Sequence, residues 1–528
     1  MKPAINLLFL FFLGISAGFS QNTATGFIYR DINQNNKKEK GETGIEKVAV
    51  SNGREVVLSD KDGKYEIPVG DDNIIFVVKP SGYSLPVNAD NQPQFYYTHK
   101  TNGSPELNYP GVSPTGKLPK SIDFGLIPDT LTENFTMLVF GDPQPYTRKE
   151  VDFFYRGIIK EVEGIDEVSF GLSLGDLVGD DLELFQPYRD AVKAVGVPWY
   201  NVMGNHDMNF DVKADSLSDE TFERHFGPAN YSFNHGKVHF IVLDDILYPD
   251  PRDGDGYWGG FREDQLTFVK NDLKYVPKDH LIVLAFHIPL KEGEFGDSFR
   301  DSDREKLFGL LKEYPQTLSL SAHTHIQNQD FFGPEDGWKQ GRKHHEYNVG
   351  TTSGDWYGGH FNEAGVPVST MRDGTPKGYA FLSFKGNQYS VRYKVAGQPE
   401  DYQLNLYAPK VVPQNEWLSA RLVVNFFMGS EQDSVLYRID QEEWKSMDFV
   451  STYDPSYIYM MQEWDFADEL LPGKRPSNPS ESTHLWMGSL NNNLVEGIHT
   501  IEVKATDMFG QEHRATKEYR IVKRNEND

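Results

Sequence analysis

Five short blocks between Gly141 and His325 each place Asp, Asn, Gln or His directly after a run of apolar, β-prone residues. They are Gly141-Asp142-Pro143-Gln144, Gly175-Asp176, Gly204-Asn205-His206-Asp207, Phe286-His287-Ile288-Pro289 and His323-Thr324-His325. The preceding runs (135–140, 168–174, 199–203, 281–286 and 317–321), together with 238–243, read as strands. Helix-like segments at 152–163, 187–195 and 263–274 alternate with them. Residues 127–397 therefore read as an α/β domain whose polar residues gather at strand ends, where open α/β sheets place their sites.

The flanks read differently. Residues 21–126 carry short strands separated by turn residues, with Asp60-Lys61-Asp62-Gly63 as a hairpin signal, and suggest a small β-sandwich. Residues 398–528 turn β-rich again, with strands predicted at 420–427, 434–438, 497–505 and 519–522 and a Pro-rich loop at 472–480. That spacing reads as an immunoglobulin-like sandwich. Trp444, Trp464 and Trp486 are expected to anchor its core or a domain interface.

Residues 1–20 have the form of a signal peptide. Lys2 starts it, 5–15 is almost continuously apolar, and Gly18-Phe19-Ser20 offers small residues at the cleavage positions. Cleavage after Ser20 would send the chain to the periplasm or the extracellular space. No later run is long enough for a transmembrane helix. The net charge of −26 opposes nucleic-acid binding, and the absence of Cys excludes disulfides, thiolate metal sites and Cys nucleophiles. Nothing in the sequence sets an oligomeric state.

The five blocks offer carboxylate, amide and imidazole donors for two metal ions. This mix suits Mn, Fe, Zn or Co better than an all-oxygen Ca or Mg cage. Two such ions about 3.5–4 Å apart meet the two difficulties of phosphate ester hydrolysis, a poor water nucleophile and an anionic ester.

In order and type the blocks resemble the calcineurin-like metallophosphoesterase family, whose run is Asp-x-His, Gly-Asp, Gly-Asn-His-Asp/Glu, His and Gly-His-x-His. The resemblance covers about 135–390. It implies a metallophosphoesterase core, a β-sandwich flanked by helices, between two all-β sandwich-like domains. Residues 22–126 resemble the β-domain that precedes some bacterial members, and more loosely surface-protein repeats with a Gly-Ile-x-x-Val pattern.

By that resemblance Asp142 and His325 bind one metal, Asp176 bridges, and Asn205, His287 and His323 bind the other. His206 becomes general acid to the leaving oxygen, or a transition-state stabiliser, after attack by a metal-bridging hydroxide. Asp207 or Asp180 orients it. Gln144 stands where the commonest pattern has His. It is a weaker, neutral oxygen donor that softens the first site, and the Asp-Pro-Gln variant marks one branch of the family. Ala322 replaces the Gly before His323.

The expected substrate is a small phosphorylated molecule, with a phosphomonoester the leading reading. A diester of a sugar, lipid or nucleotide is the near alternative, and a non-catalytic glycan- or surface-binding protein the distant one. Asn205, His206, Tyr146 and Asn209 are candidates to touch the phosphate, and Trp356, Tyr357 and His360 to wall the pocket. His344-His345 reads as solvated surface, facing opposite sides of a strand. Asp31, Asn33, Asn35 and Glu42 have the spacing of a calcium loop, but Lys37, Lys38 and Lys40 crowd it and favour a solvated Asn-rich turn.

Overall fold

The computed structural model describes residues 22–291 and 296–524. The leader expected at 1–20 lies outside them. Two sheets form the centre of the molecule. One has five strands, in the order Trp199–Val202, Phe170–Leu174, Asn134–Phe140, Gly378–Lys385 and Gln388–Val395. The other has six, in the order Tyr231–His235, Val238–Val242, Leu281–Ala285, Thr317–Ser321, His344–Asn348 and Asn328–Phe332. The strands that precede the polar blocks run parallel within each sheet, so their C-terminal ends emerge along one edge. These runs are apolar at nearly every position, and Phe170–Leu174 and Leu281–Ala285 are buried throughout. That is the pattern of parallel strands covered on both faces.

Helices Arg148–Phe154, Phe185–Val192 and Glu263–Asp272 flank the sheets. The first starts four residues earlier than the sequence predicts, because the Thr147 side chain caps it by accepting from the Glu150 N–H. Its continuation, Tyr155–Ile159, is a π-helical turn.

The N-terminal part forms two four-stranded sheets. Lys100 fastens it to the centre. This buried amine lies 2.8 Å from both Glu220 and Glu223 of the helix Glu220–Phe226. Desolvation makes such an ion pair costly to build and far costlier to leave half-made, so Lys100 holds the two parts in one arrangement. The Asp31–Glu42 loop folds on its own hydrogen bonds. Asp31 accepts from the Asn35 and Asn36 N–H groups, Asn33 from Asn35, and the Asn33 amide donates to Glu39.

The C-terminal part packs a four-stranded sheet on a five-stranded one. It also contains a helix, Pro455–Asp465, in a stretch where the sequence suggests only strands and loops. Asp454 caps that helix by accepting from the Tyr457 N–H, and Pro455 fills its first turn. Trp486 is buried in the sandwich against Phe426 and Phe449. Trp464 packs on His360 across the junction with the centre. Trp444 departs from expectation. It lies among Arg438, Lys504 and Arg514, with cations 4.6–5.8 Å from its ring, and is not in the core. Among the described residues no helix is long and apolar enough to cross a membrane.

His344 and His345 also depart from expectation. They do face opposite sides, but both are buried. Their strand lies between two others in the six-stranded sheet, so each face is covered. His344 bonds Ser319 and Thr317, and His345 bonds Tyr389 and Gln329.

Candidate functional site

The turns that end the central strands share an unusual backbone. Asp142, Gln144, Asp176, Asp180, His323 and His325 all hold φ between 31° and 69°. Left-handed backbone at a non-glycine costs about 1–3 kcal/mol and persists only where the surroundings enforce it. Here it swings successive side chains off the strand ends into one cleft. The glycines beside them are required by close approach. A Cβ on Gly204 would stand 2.2 Å from the Asp176 nitrogen, and one on Gly175 would stand 2.5 Å from His287 Nδ1.

Seven side chains converge there in two groups. In the first, His325 Nε2 lies 2.8 Å from Gln144 Oε1 and 3.2 Å from Asp142 Oδ2. In the second, His287 Nε2 lies 3.2 Å from Asp176 Oδ2, 3.1 Å from Asn205 Oδ1 and 3.2 Å from His323 Nδ1. Asp176, His287 and His323 each offer one atom within 4.8 Å of the others.

The donor set fits cations. His287 and His325 each spend Nδ1–H on a backbone carbonyl, of Leu174 and Gly354 respectively, at 2.7 Å. This fixes the tautomer that turns the Nε2 lone pair inward, the usual support of a ligating histidine. Those lone pairs face carboxylate and amide oxygens, and buried Asp142 Oδ2 has no hydrogen-bond donor. Burial lowers the basicity of His287, but the Asp176 charge outweighs it and lifts its pKa to about 10. A cation satisfies the same convergence of acceptors without a proton.

His206 stands at the edge of this cluster. Its Nδ1 is 2.7 Å from Asp180 Oδ1, and its Nε2 is 4.0 Å from Asp176 Oδ2. Burial favours the neutral ring, but the Asp176 charge and the Asp180 hydrogen bond prevail and raise its pKa to about 9. Asp180 is thus the orienting carboxylate, and Asp207 is not. Asp207 is buried and accepts from the Gly204, Leu177 and Val178 N–H groups at 2.9–3.2 Å, tying two of the turns together.

The other candidates divide. Tyr146 sits edge-on to His206 at 5.9 Å, and its hydroxyl accepts from the Gln144 amide. Trp356 stacks on His325 at 3.9 Å and lines the cleft. Asn209 does not reach the cleft; it is buried, and its amide is spent on Thr221. Tyr357 is buried too, its hydroxyl donating to the Pro143 carbonyl. His360 lies apart, beside Trp464 and 3.8 Å from Glu463.

The cleft over the metal-type residues has a volume of about 460 Å³. Several of its walls come from loops without a motif: Arg252, Tyr257 and Trp258 on one side, Ser298 and Arg372 elsewhere. Tyr257 stands edge-on to His323 at 6.1 Å, and Arg372 donates to the Thr324 carbonyl at 3.1 Å. Arg252 is held by Asp250 and Asp297 at 2.6 and 3.0 Å.

A family model described as calcineurin-like phosphoesterase matches residues 135–327, the segment that contributes all seven converging side chains. The chain belongs to the calcineurin-like phosphoesterases. These are metal-dependent phosphoric ester hydrolases of the dimetal type. Models for the N-terminal and C-terminal parts of calcineurin-like phosphoesterases match residues 32–109 and 346–513. The phosphoesterase is 27% identical over 146 residues to the "Probable glycerophosphodiester phosphodiesterase GpdQ" of Arcobacter nitrofigilis, a match spanning 27% of this chain and about half (51%) of that relative. Purple acid phosphatase PPD1 from seeds of yellow lupin (Lupinus luteus) aligns with a TM-score of 0.36 and 11% identity, over 67% of this chain and 69% of the other. Vps29 of Chaetomium thermophilum aligns with a TM-score of 0.19 and 12% identity, over 73% and 98%.

Proposed function

We propose that this phosphoesterase is an exported dimetal phosphodiesterase. The observation that carries the diester over the monoester is the shape of the cleft. Past Ser298, His323, Thr324 and Arg372 it continues into a second cavity of about 450 Å³, which gives a second ester arm room beside the phosphate. The cationic side chains also suit a monoanion, because two carboxylates already answer the Arg252 charge. A vestigial scaffold would have lost ligands, and among the ligand positions only Gln144 departs from the family pattern.

In this reading Asp142, Gln144 and His325 hold the first metal, Asn205, His287 and His323 the second, and Asp176 lies between. When bound, the metal pair neutralises the phosphoryl oxygens and acidifies the attacking water. His206 supplies the proton to the departing alkoxide from Nε2. Asp180 accepts Nδ1–H, which keeps the ring aimed and protonated when cations offset the Asp176 charge. Asp180→Asn is expected to lower kcat about 10-fold with little change in KM, since it loosens the acid without removing it. Gln144→His replaces a neutral oxygen donor with imidazole, and calorimetric titration of the metal-free protein is expected to show about 10-fold tighter binding at the weaker site.

Export rests on the form of residues 1–20, and mass mapping of the mature N-terminus is expected to find Gln21 first. The phosphodiesterase reading is tested by turnover of bis(p-nitrophenyl) phosphate against p-nitrophenyl phosphate. It expects kcat/KM to favour the diester, and a preference for the monoester contradicts it.

A further inference from the structure

The second cavity lies between the catalytic domain and the C-terminal β-domain, which closes one side of it. Strand Asp448–Tyr453 is an edge of the four-stranded sheet and pairs with Glu481–Ser489. Its register sets Tyr453 opposite Glu481. The register shifts between Val450 and Thr452, and Ser451 and Tyr453 on one strand and Glu481 and Thr483 on the other all line the cavity. The opposite wall is catalytic-domain chain, and Thr483 joins the two walls by donating to Asn328 at 2.6 Å. His206 lines the first cavity but not the second, whereas His323 and Thr324 line both. The alcohol protonated by His206 therefore departs in the first cavity, and the second receives the arm that stays on phosphorus.

The chemistry of this wall selects among possible arms. The Tyr453 hydroxyl and the Lys291 amine are donors, and Asp330, Glu481 and the Ser451 and Thr483 oxygens, whose protons go to Glu481 and Asn328, are acceptors. Donors and acceptors are interleaved, as a polyhydroxylated ligand requires. Asn328 and Ser451 already orient two of the carboxylates, bonding Asp330 at 2.6 Å and Glu481 at 3.2 Å. Lys291 and Arg372 stand in the same lining as Asp330 and Glu481, so the wall as a whole is close to neutral and suits an uncharged arm, and its carbon surface, Pro289 and Ile326 included, is open to the apolar face of a sugar ring. The half-exposed Tyr453 ring offers a face for a sugar ring, with its hydroxyl as a polar edge. We propose that the C-terminal β-domain is the specificity element of the enzyme and that it holds a neutral sugar or polyol arm of the phosphodiester. This inference rests on the phosphodiesterase reading.

Two chromogenic diesters test it, p-nitrophenyl phosphate carrying either a methyl or a glucosyl second arm, with metal-loaded protein. The wild type is expected to favour the glucosyl arm about 10-fold in kcat/KM, about the worth of one or two well-made hydrogen bonds. Tyr453→Ala and Glu481→Gln lie on an edge strand and at its partner, so neither disturbs the core. Each is expected to cut that preference to about 2-fold or less, mostly through KM for the glucosyl diester. Equal rates on the two diesters in the wild type overturn the sugar-arm assignment and leave the phosphodiesterase reading standing. A preference that survives both substitutions overturns the role of the C-terminal domain. Failure of the wild type to cleave either diester overturns the phosphodiesterase reading, and the arm assignment with it.

Discussion

Replacing His206 with alanine is expected to lower kcat about 10³-fold for a diester with an alkyl leaving group, and about 10-fold or less when p-nitrophenolate departs. The contrast follows from leaving-group chemistry. An alkoxide is too basic to leave without a proton, whereas p-nitrophenolate leaves as the anion. Only a proton donor makes the penalty depend on the leaving group. Its position supports the assignment: the ring is fixed through Nδ1 on Asp180 at 2.7 Å, which frees Nε2 for the substrate side. In the metal-free protein a pH titration of the imidazole by NMR is expected to place its pKa above the ordinary value, because the Asp176 charge and the Asp180 hydrogen bond outweigh burial. Equal losses on both classes of ester would reduce His206 to a phosphate contact.

Asp176→Asn is expected to abolish metal binding at one site at least and to lower activity about 10³-fold or more. The substitution keeps the shape and removes the charge at the point where the two groups of ligands meet. Its carboxylate lies 3.2 Å from His287 Nε2 and also accepts from the His206 N–H at 2.9 Å, so an amide in its place turns a donor toward groups arranged around an acceptor. Elemental analysis after gel filtration, with far-UV circular dichroism as a check on the fold, separates metal loss from unfolding. A variant that retains two metals and wild-type turnover contradicts the bridging role.

The convergence of these side chains was legible in part because the blocks stand at the ends of apolar runs that read as strands, while their roles as ligands come from the family resemblance. Reading Asp142, Asp176, Asn205, His287 and His323 as strand-end residues therefore placed them at one edge of the sheets. The choice between Asp180 and Asp207 was not legible. Both are a few residues from a ligand, and what separates them is that three backbone N–H groups close on Asp207. Nor was the burial of His344 and His345, which depends on strand order and not on neighbours in sequence. Asn209 is a phosphate candidate by adjacency to a block and Tyr357 a pocket-wall candidate by its aromatic ring, and their hydrogen bonds turn both into the protein. Arg372 and Tyr257 come from loops whose composition carries no motif. The cavity beneath the C-terminal domain depends on the register of Tyr453 against Glu481, a long-range pairing that no local pattern announces. The helix Pro455–Asp465 did leave a signal, in Asp454-Pro455, and it was masked by the strands around it.

Stripping the protein of metal and titrating Mn or Zn back, while following both calorimetric binding and cleavage of bis(p-nitrophenyl) phosphate, tests whether the chain is a dimetal phosphodiesterase. Two ions per chain are expected, the Gln144-bearing site the weaker, with diester cleavage absent in the stripped protein and rising as the second ion binds. Full diesterase activity without metal, or saturation with no gain in cleavage, would contradict the dimetal phosphodiesterase reading.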